Sequence, residues 1–371
     1  MIPFNDLKRI HGPLTNSFMN VLKRALDSSG FIGGKEVTNF ERAFGDYCGV
    51  GPEGVAGVSN GTDALELTLR AMKIGEGDEV ITAANTFYAT ASAIRSTGAT
   101  PVLADINPDT HLIDVDSLEG KVSDRVRAIV PVHLYGQQAE MEKIENFAKK
   151  YGLLILEDAA QAHGSLRDGF PPGHIGGAVA YSFYPGKNLG ALGDAGAVTS
   201  RDKSIIADVR MLREYGQAAK YHHEKQGFNH RLDALQAAFL SVKLPELNGW
   251  NVNRQEIAGK LIRNLSDVNE IKLPVTAHGN SHTYHLFVIR TANREGLKEF
   301  LEDNGVQTGI HYPVPIHEQR AFAYLNRPLG SYPNAETNAR QILSLPIFPG
   351  MVDEEINYVS DKVKSFFGKS R

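Results

Sequence analysis

The residues best suited to chemistry lie in Ser182-Phe183-Tyr184-Pro185-Gly186-Lys187-Asn188. A lysine follows a Pro-Gly turn, and the turn follows a run, Ala178 to Tyr184, patterned as a strand. A lysine on a tight loop at a strand end suits covalent chemistry. Its amine condenses with an aldehyde once burial or a nearby cation lowers its pKa. A lone Gly-Lys-Asn is also what a solvated surface lysine looks like, so the surroundings must decide.

Three upstream segments can surround that amine with a planar, phosphorylated cofactor. Ser59-Asn60-Gly61-Thr62-Asp63-Ala64 joins an expected strand to an expected helix. Free N–H groups and the positive dipole end favour a phosphate there. The same residues also serve as an ordinary helix cap. In Ala84-Asn85-Thr86-Phe87-Tyr88-Ala89-Thr90, the Phe87 ring sits just past a strand, where it either stacks on a flat ring or belongs to the core. In Leu156-Glu157-Asp158-Ala159-Ala160-Gln161-Ala162-His163-Gly164, two acids end an apolar strand. A buried carboxylate needs a partner, and a protonated pyridine nitrogen is one. Asp158 is the choice for that role, because strand alternation turns Glu157 to the opposite face. A helix cap or structural ion pair is the alternative for Asp158. Gln161 can bond a ring oxygen, and His163 reads as a satisfied core histidine. Downstream, Asn229 and Arg231 in Gly227-Phe228-Asn229-His230-Arg231-Leu232-Asp233 offer donors for a phosphate.

The elements around these residues alternate. From about residue 55, short strands and helices follow one another to Leu156, and several strands are continuous apolar runs. Such strands are buried on both faces, which predicts an α/β fold with a mostly parallel sheet covered by helices. Ligands then sit at the carboxyl ends of the strands. A helix is expected over 203–214, a loop over 215–227, and helices over 233–244 and 251–265. Strands are expected over 283–289 and 307–311, separated by a helix, and a terminal helix closes the chain. Gly30 to Gly34 reads as a mobile loop on a substrate rim. The expected division is a large α/β domain over 1–250, N-terminal segment included, and a smaller C-terminal domain over 251–371.

The chain has 371 residues, 42% hydrophobic and 22% charged, enough for a sizeable core. A net charge of −4 asks for neither nucleic acid nor an anionic membrane. Cys48 is the single cysteine, so no disulfide forms within the chain and a reducing compartment is expected. No signal peptide or membrane span is evident, and a cytoplasmic location is expected. Gly-x-Gly-x-x-Gly after a strand is absent, which argues against a nicotinamide enzyme. Gly186-Lys187 lacks the remainder of a nucleotide-hydrolase loop. His222-His223-Glu224 does not complete a zinc frame, so no metal is expected.

Together these motifs resemble the pyridoxal-phosphate (PLP) sugar-nucleotide aminotransferases of the DegT/DnrJ type. The resemblance rests on residues 59–65, 157–164, 182–190, 193–198 and 227–233 and runs from Ile2 to about Ile347. It implies the fold-type I, aspartate-aminotransferase-like architecture, with a smaller α+β C-terminal domain. Lys187 would carry the covalent link to the cofactor and act as the proton-transfer base. Asp158 would pair with the ring nitrogen, Phe87 would stack on the ring, and Gln161 would bond near its hydroxyl. Gly61, Thr62 and Ser182 would hold the phosphate, and Asp63 would be a further cofactor-binding residue. Asn229 would reach the phosphate of a neighbouring subunit, implying a homodimer with shared sites. His230 departs from the small polar residue usual in such proteins.

The amino donor implied is L-glutamate, and the acceptor a nucleotide-linked keto sugar. Relatives that dehydrate sugars carry histidine in place of the lysine. The sequence around Lys187 is similar to members that aminate C3 of dTDP-3-keto-6-deoxyhexoses. C4 enzymes tend to show Lys-Thr/Ser and Gly-Glu-Gly-Gly, from which Gly193-Asp194-Ala195-Gly196 departs. A 4-keto sugar, a UDP-linked 3-keto sugar and a non-catalytic regulator are the alternatives. Tyr184, Arg213, Tyr215, Tyr221, His311 and Tyr312 are candidates for sugar-nucleotide contacts, against ordinary surface or interface packing.

Overall fold

The computed structural model describes residues 1–368. Three helices open the chain: α1 Leu7–His11, α2 Thr15–Ser28 and α3 Gly34–Cys48. The sheet follows as β1 Val55–Val58, α4 Gly61–Ala71, β2 Glu79–Ala83, α5 Tyr88–Ser96, β3 Thr100–Ala104, β4 Val126–Val130, α6 Met141–Tyr151 and β5 Leu154–Asp158. It continues with the short β6 Leu166–Arg167, then β7 Ala178–Ser182 and β8 Gly196–Thr199. After α7 Lys203–Leu212 come β9 Gln217–Ala219, β10 His222–His223, α8 Ala234–Lys243 and α9 Leu247–Leu265. The C-terminal part holds β11 Ile271–Lys272, β12 Asn280–Ser281, β13 Phe287–Thr291, α10 Arg294–Asp303, α11 Pro333–Gln341, β14 Ile342–Leu345 and α12 Asp353–Phe366.

The central sheet has seven strands in the order β1-β8-β7-β5-β4-β2-β3. β8 runs antiparallel to β1 and β7, and the other pairs are parallel. Val80, Ile81, Ala128, Ile129, Val130 and Leu156 are buried, as two-sided helix cover requires. Crossovers of this kind bring the carboxyl ends of β1, β2, β5 and β7 to one edge of the sheet.

A separate antiparallel sheet, β11-β13-β14, packs with α9, α10 and α12 over its own core, which includes Leu261, Phe287, Leu301, Leu343 and Val359. Ile2 joins this core and bridges Val306. The N-terminal residues therefore tie to the C-terminal unit, although the sequence grouped them with the large one. The expected division at 250/251 falls inside α9, and residues 369–371 of the second unit lie outside the described residues.

Several expectations need correction. The 215–227 stretch, expected as a loop, contains the β9–β10 hairpin. Residues 307–311 form no strand, only an isolated bridge from Gly309 to Ser344. α11 and β14 were unforeseen. At Gly30–Gly34, Ile32 bridges Asp233 at the start of α8 and Gly34 opens α3, so the segment is anchored to α8.

Candidate active site

Four strand ends converge on one cavity of about 870 Å³. It is lined by Gly61, Thr62, Asp63, Thr86, Phe87, Thr90, Asp158, Gln161, Ser182, Tyr184 and Lys187 from the large unit, and by His285, His311, Tyr312 and Ile347 from the other side. A cavity between two packed units, largely apolar with a few convergent polar groups, is the usual form of a small-molecule site.

Lys187 sits where the turn places it. Its N–H donates to the Tyr184 carbonyl at 2.8 Å, closing the Pro-Gly turn. Its side chain keeps a partly accessible surface, which faces the cavity. Burial from bulk water pushes its pKa down from 10.5 to about 8, with Asp158 pulling the other way. No hydrogen bond or ion pair of the Lys187 ammonium is found among the described residues. An amine in that state is free to act as a nucleophile.

Asp158 ends β5 and is 5% exposed. Thr90 Oγ1 donates to Oδ2 at 2.8 Å and the Ala160 N–H to Oδ1 at 3.1 Å. Burial raises the carboxyl above its usual range, while Thr90, Ala160 and the charge of Lys187 lower it. Neutral donors do not balance a buried carboxylate, so the site is set for a cation against Asp158. Glu157 faces away, as alternation predicts. It takes His133 Nε2 at 2.7 Å and the Gly173 and Gly176 N–H groups at 3.0 and 2.9 Å.

The start of α4 forms an anion cup. Asn60 caps it, accepting the Asp63 N–H at 2.9 Å. Gly61 and Thr62 supply first-turn N–H groups without intrahelical acceptors. Gly61 lies against β7, where an added Cβ would come within 2.5 Å of Ser182 Cβ. That contact brings the Ser182 hydroxyl beside the helix start. The cap and the phosphate site thus coexist, using different N–H groups. Asp63 also lines the cavity; its N–H is taken by Asn60, and its carboxylate accepts from Ser59 Oγ and Asn60 Nδ2. His230 Nδ1 lies 3.3 Å from the same carboxylate. Asp63 therefore braces the cup rather than offering a donor.

On the remaining walls, Phe87 is 50% exposed and its ring centroid lies 4.9 Å from that of Tyr312. Gln161 Oε1 accepts the Tyr135 N–H at 2.7 Å, and Nε2 donates to Tyr312 Oη at 3.0 Å. His311 Nδ1 bonds Ser344 Oγ at 2.9 Å, and burial lowers its pKa to about 4. Tyr184 reaches the rim. His163 is buried, as expected, but not satisfied. Neither ring nitrogen has a partner among the described residues, and the ring packs between Tyr181 and Phe183.

Four expected site residues do not line the cavity. Arg213 is committed to Glu41 Oε1 and the Gly57 carbonyl, a structural ion pair rather than a diphosphate clamp. Tyr215, Tyr221 and Asn229 lie on the hairpin segment, away from the cavity of their own chain. Sequence reasoning missed Thr90, Asn188 and His285. Thr90 stands one helical turn past Thr86, a spacing that was available as a signal.

These residues fit PLP. The α4 cup suits its phosphate, the slot beside Phe87 its ring, Asp158 its protonated nitrogen and Lys187 its aldehyde.

The chain belongs to the DegT/DnrJ/EryC1/StrS aminotransferase family, whose model matches residues 14–364. It is 42% identical to the dTDP-3-amino-3,4,6-trideoxy-alpha-D-glucose transaminase of Streptomyces venezuelae, covering 98% of this chain and 96% of that one. It is 43% identical to the dTDP-3-amino-3,6-dideoxy-alpha-D-galactopyranose transaminase of Aneurinibacillus thermoaerophilus, covering 99% of each. The crystal structure of S. venezuelae DesV with a ketimine intermediate superposes with a TM-score of 0.95 at 42% identity, covering 98% of both chains. The fold is therefore the expected fold-type I architecture. Among the described residues, no helix is long and apolar enough to cross a membrane.

Proposed function

We propose that the protein transfers the amino group of L-glutamate, through PLP, to the C3 keto group of a dTDP-linked 3-keto-6-deoxyhexose. The product is a 3-amino-3,6-dideoxyhexose nucleotide. One observation carries the reading: a lysine of lowered pKa and a buried aspartate share a cavity with a helix-start anion cup. The relatives that act on dTDP-3-amino sugars support the acceptor.

PLP supplies an aldehyde and, while its ring nitrogen stays protonated, an electron sink. The chain's residues do the rest. Lys187 would hold the aldehyde end and, as a neutral amine, would serve as the base that moves the substrate proton. Asp158 keeps the ring nitrogen protonated, and Thr90 and Ala160 hold the Asp158 carboxylate in place. Gly61, Thr62 and Ser182 bind the phosphate, Phe87 covers the ring and Gln161 bonds near its hydroxyl. Tyr184, His311 and Tyr312 face the sugar.

Asn229, Tyr215 and Tyr221 complete the site of a neighbouring subunit in a homodimer. Their position outside the cavity of their own chain, with Tyr221 80% exposed, supports that role. A large unit and a smaller C-terminal one, expected to divide near residue 250, are supported by the separate C-terminal core, which Ile2 of the N-terminal segment also joins. A single buried cysteine suits the cytoplasm.

The purified protein should be yellow with PLP, and L-glutamate should bleach that band and release 2-oxoglutarate. A panel of 3-keto and 4-keto sugars on dTDP and UDP then tests the acceptor. Turnover of 4-keto sugars alone would overturn the C3 assignment, and turnover of UDP sugars alone would overturn the nucleotide.

A further inference from the structure

One wall of the cavity comes from a stretch that held none of the expected site residues. Phe4 and Leu7 of the N-terminal segment line it. The segment is a strap tied at both ends. The Ile2 N–H donates to the Gly305 carbonyl at 2.7 Å, and the Phe4 N–H to Gln307 Oε1 at 3.1 Å. Beyond Leu7, Arg9 donates to the Gly350 carbonyl at 2.8 Å and pairs with Glu355 at 2.8 Å. Between these ties the Phe4 ring is fixed by packing. It stacks on His311, with centroids 5.4 Å and planes 18° apart. Its tip lies over Gly309, where an added Cβ would meet Phe4 Cζ at 3.4 Å.

This ring ends a row along the cavity. The Phe87 and Tyr312 centroids are 4.9 Å apart, those of Tyr312 and His311 5.7 Å, and His311 then meets Phe4. All four rings line the cavity. Phe87 marks the cofactor end, so Phe4 marks the end away from it. The strap's face there is apolar. Asp6 is spent on the Arg9 N–H at 2.9 Å, capping α1. Asn5 gives Nδ2 to the Gly186 carbonyl at 3.5 Å, and its Oδ1 is buried rather than open to the cavity. Among the described residues that line the cavity, Lys187 is the only lysine or arginine.

A pyranose that turns C3 to the cofactor turns its C1 and C5 substituents to the far side of the ring. The C1 substituent is the diphosphate, which needs the charged or N–H donors that the strap lacks. The C5 substituent is C6, a methyl group in a 6-deoxyhexose, and an aromatic face accepts a methyl. A C6 hydroxyl or carboxylate at this place would lose water without gaining a hydrogen bond. We infer, on the acceptor reading given above, that Phe4 is a specificity-determining residue whose ring faces the C6 methyl and selects 6-deoxyhexoses against sugars oxygenated at C6.

The reverse half-reaction tests this with amino sugars. PLP-loaded protein is mixed with the dTDP-3-amino-3,6-dideoxyhexoses of gluco and galacto configuration, each beside its 6-hydroxy counterpart, and bleaching is followed in a single turnover. Bleaching by L-glutamate measures the folded, loaded fraction of every sample, and rates are normalised to it. The wild type should prefer the 6-deoxy sugar by roughly 10²-fold in second-order rate. Phe4→Asn should narrow that preference to about tenfold or less, whereas Phe4→Leu, still apolar, should keep it within about threefold of the wild type. An equal loss with both sugars in Phe4→Asn overturns the role, as does Phe4→Leu behaving like Phe4→Asn. A wild type that takes 6-deoxy and 6-hydroxy sugars equally overturns the inference and leaves the proposed reaction standing. A wild type that bleaches with L-glutamate but with none of these sugars would sink the proposed acceptor, and this inference with it.

Discussion

The floor of the cavity is tied down within its own chain, whereas Tyr215 and Tyr221 of the β9–β10 segment do not line it. On the floor, Asp158 is held by Thr90 and Ala160, Gln161 by Tyr135, and Asn188 by Asn251 and Thr283. Apart from the local Ala160–Asp158 contact, each tie joins residues far apart in the chain, so the groups are set before any ligand arrives. On the hairpin, Tyr221 is 80% exposed and Tyr215 44% exposed. Their anchors serve the segment itself: His223 Nδ1 bonds the Tyr215 carbonyl at 2.8 Å and Arg231 pairs with Glu214 at 2.9 Å. In the homodimer proposed above, the site would be half preorganised and half dependent on a second copy of the chain. Exposed aromatic residues on a short ribbon are the kind of surface an interface covers.

The sharpest way to break this comparison is at the amine. Lys187→Ala should fold and bind PLP, yet release of 2-oxoglutarate should fall by about 10⁴-fold or more, since proton transfer and covalent binding are lost together. Full residual activity would remove the floor from the argument. Asp158→Asn comes next. It keeps the shape but loses the charge opposite the ring nitrogen, and an expected fall of roughly 10²–10³-fold in glutamate bleaching measures that charge.

The hairpin is tested by mixing. Asn229→Ala should weaken PLP binding about tenfold, the worth of one hydrogen bond to a charged group. Combining Asn229→Ala subunits with Lys187→Ala subunits should then restore one site of wild-type affinity per mixed dimer. If no recovery appears, the hairpin serves its own chain and the comparison collapses. The smallest effect is on pH. Lys187 has its pKa lowered to about 8, so below that the amine is protonated and inert. Capture of PLP by the cofactor-free protein should therefore speed up by roughly fivefold from pH 7 to 8 and level off above that. A profile still rising steeply to pH 10 would mean an unshifted, exposed lysine.

Much of the floor was legible. The Pro-Gly turn announced Lys187 because Pro and Gly fix backbone geometry locally. Alternation separated Asp158 from Glu157 because side-chain direction in a strand has period two. Asn60 was readable as a cap for the same local reason. Arg213 was not. Its partner Glu41 is 172 residues away, and a basic residue near a loop carries no sign of an acid that distant. β9, β10 and β14 were hidden because strands of two to four residues are too short to show a period. His285 lay in a segment read correctly as alternating, yet alternation names a face without naming what stands opposite it.

The amino-acid order by itself determined the local grammar: where the chain turns, which residues cap α4, and which acid faces the cavity. These depend on contacts within a few residues, where the backbone leaves little choice. Only the tertiary structure decided that Lys187 loses part of its charge, that Arg213 is spent on Glu41, and that Phe4 lines the cavity. Those outcomes come from burial and from partners brought together by crossovers, and both depend on distances that sequence separation does not encode.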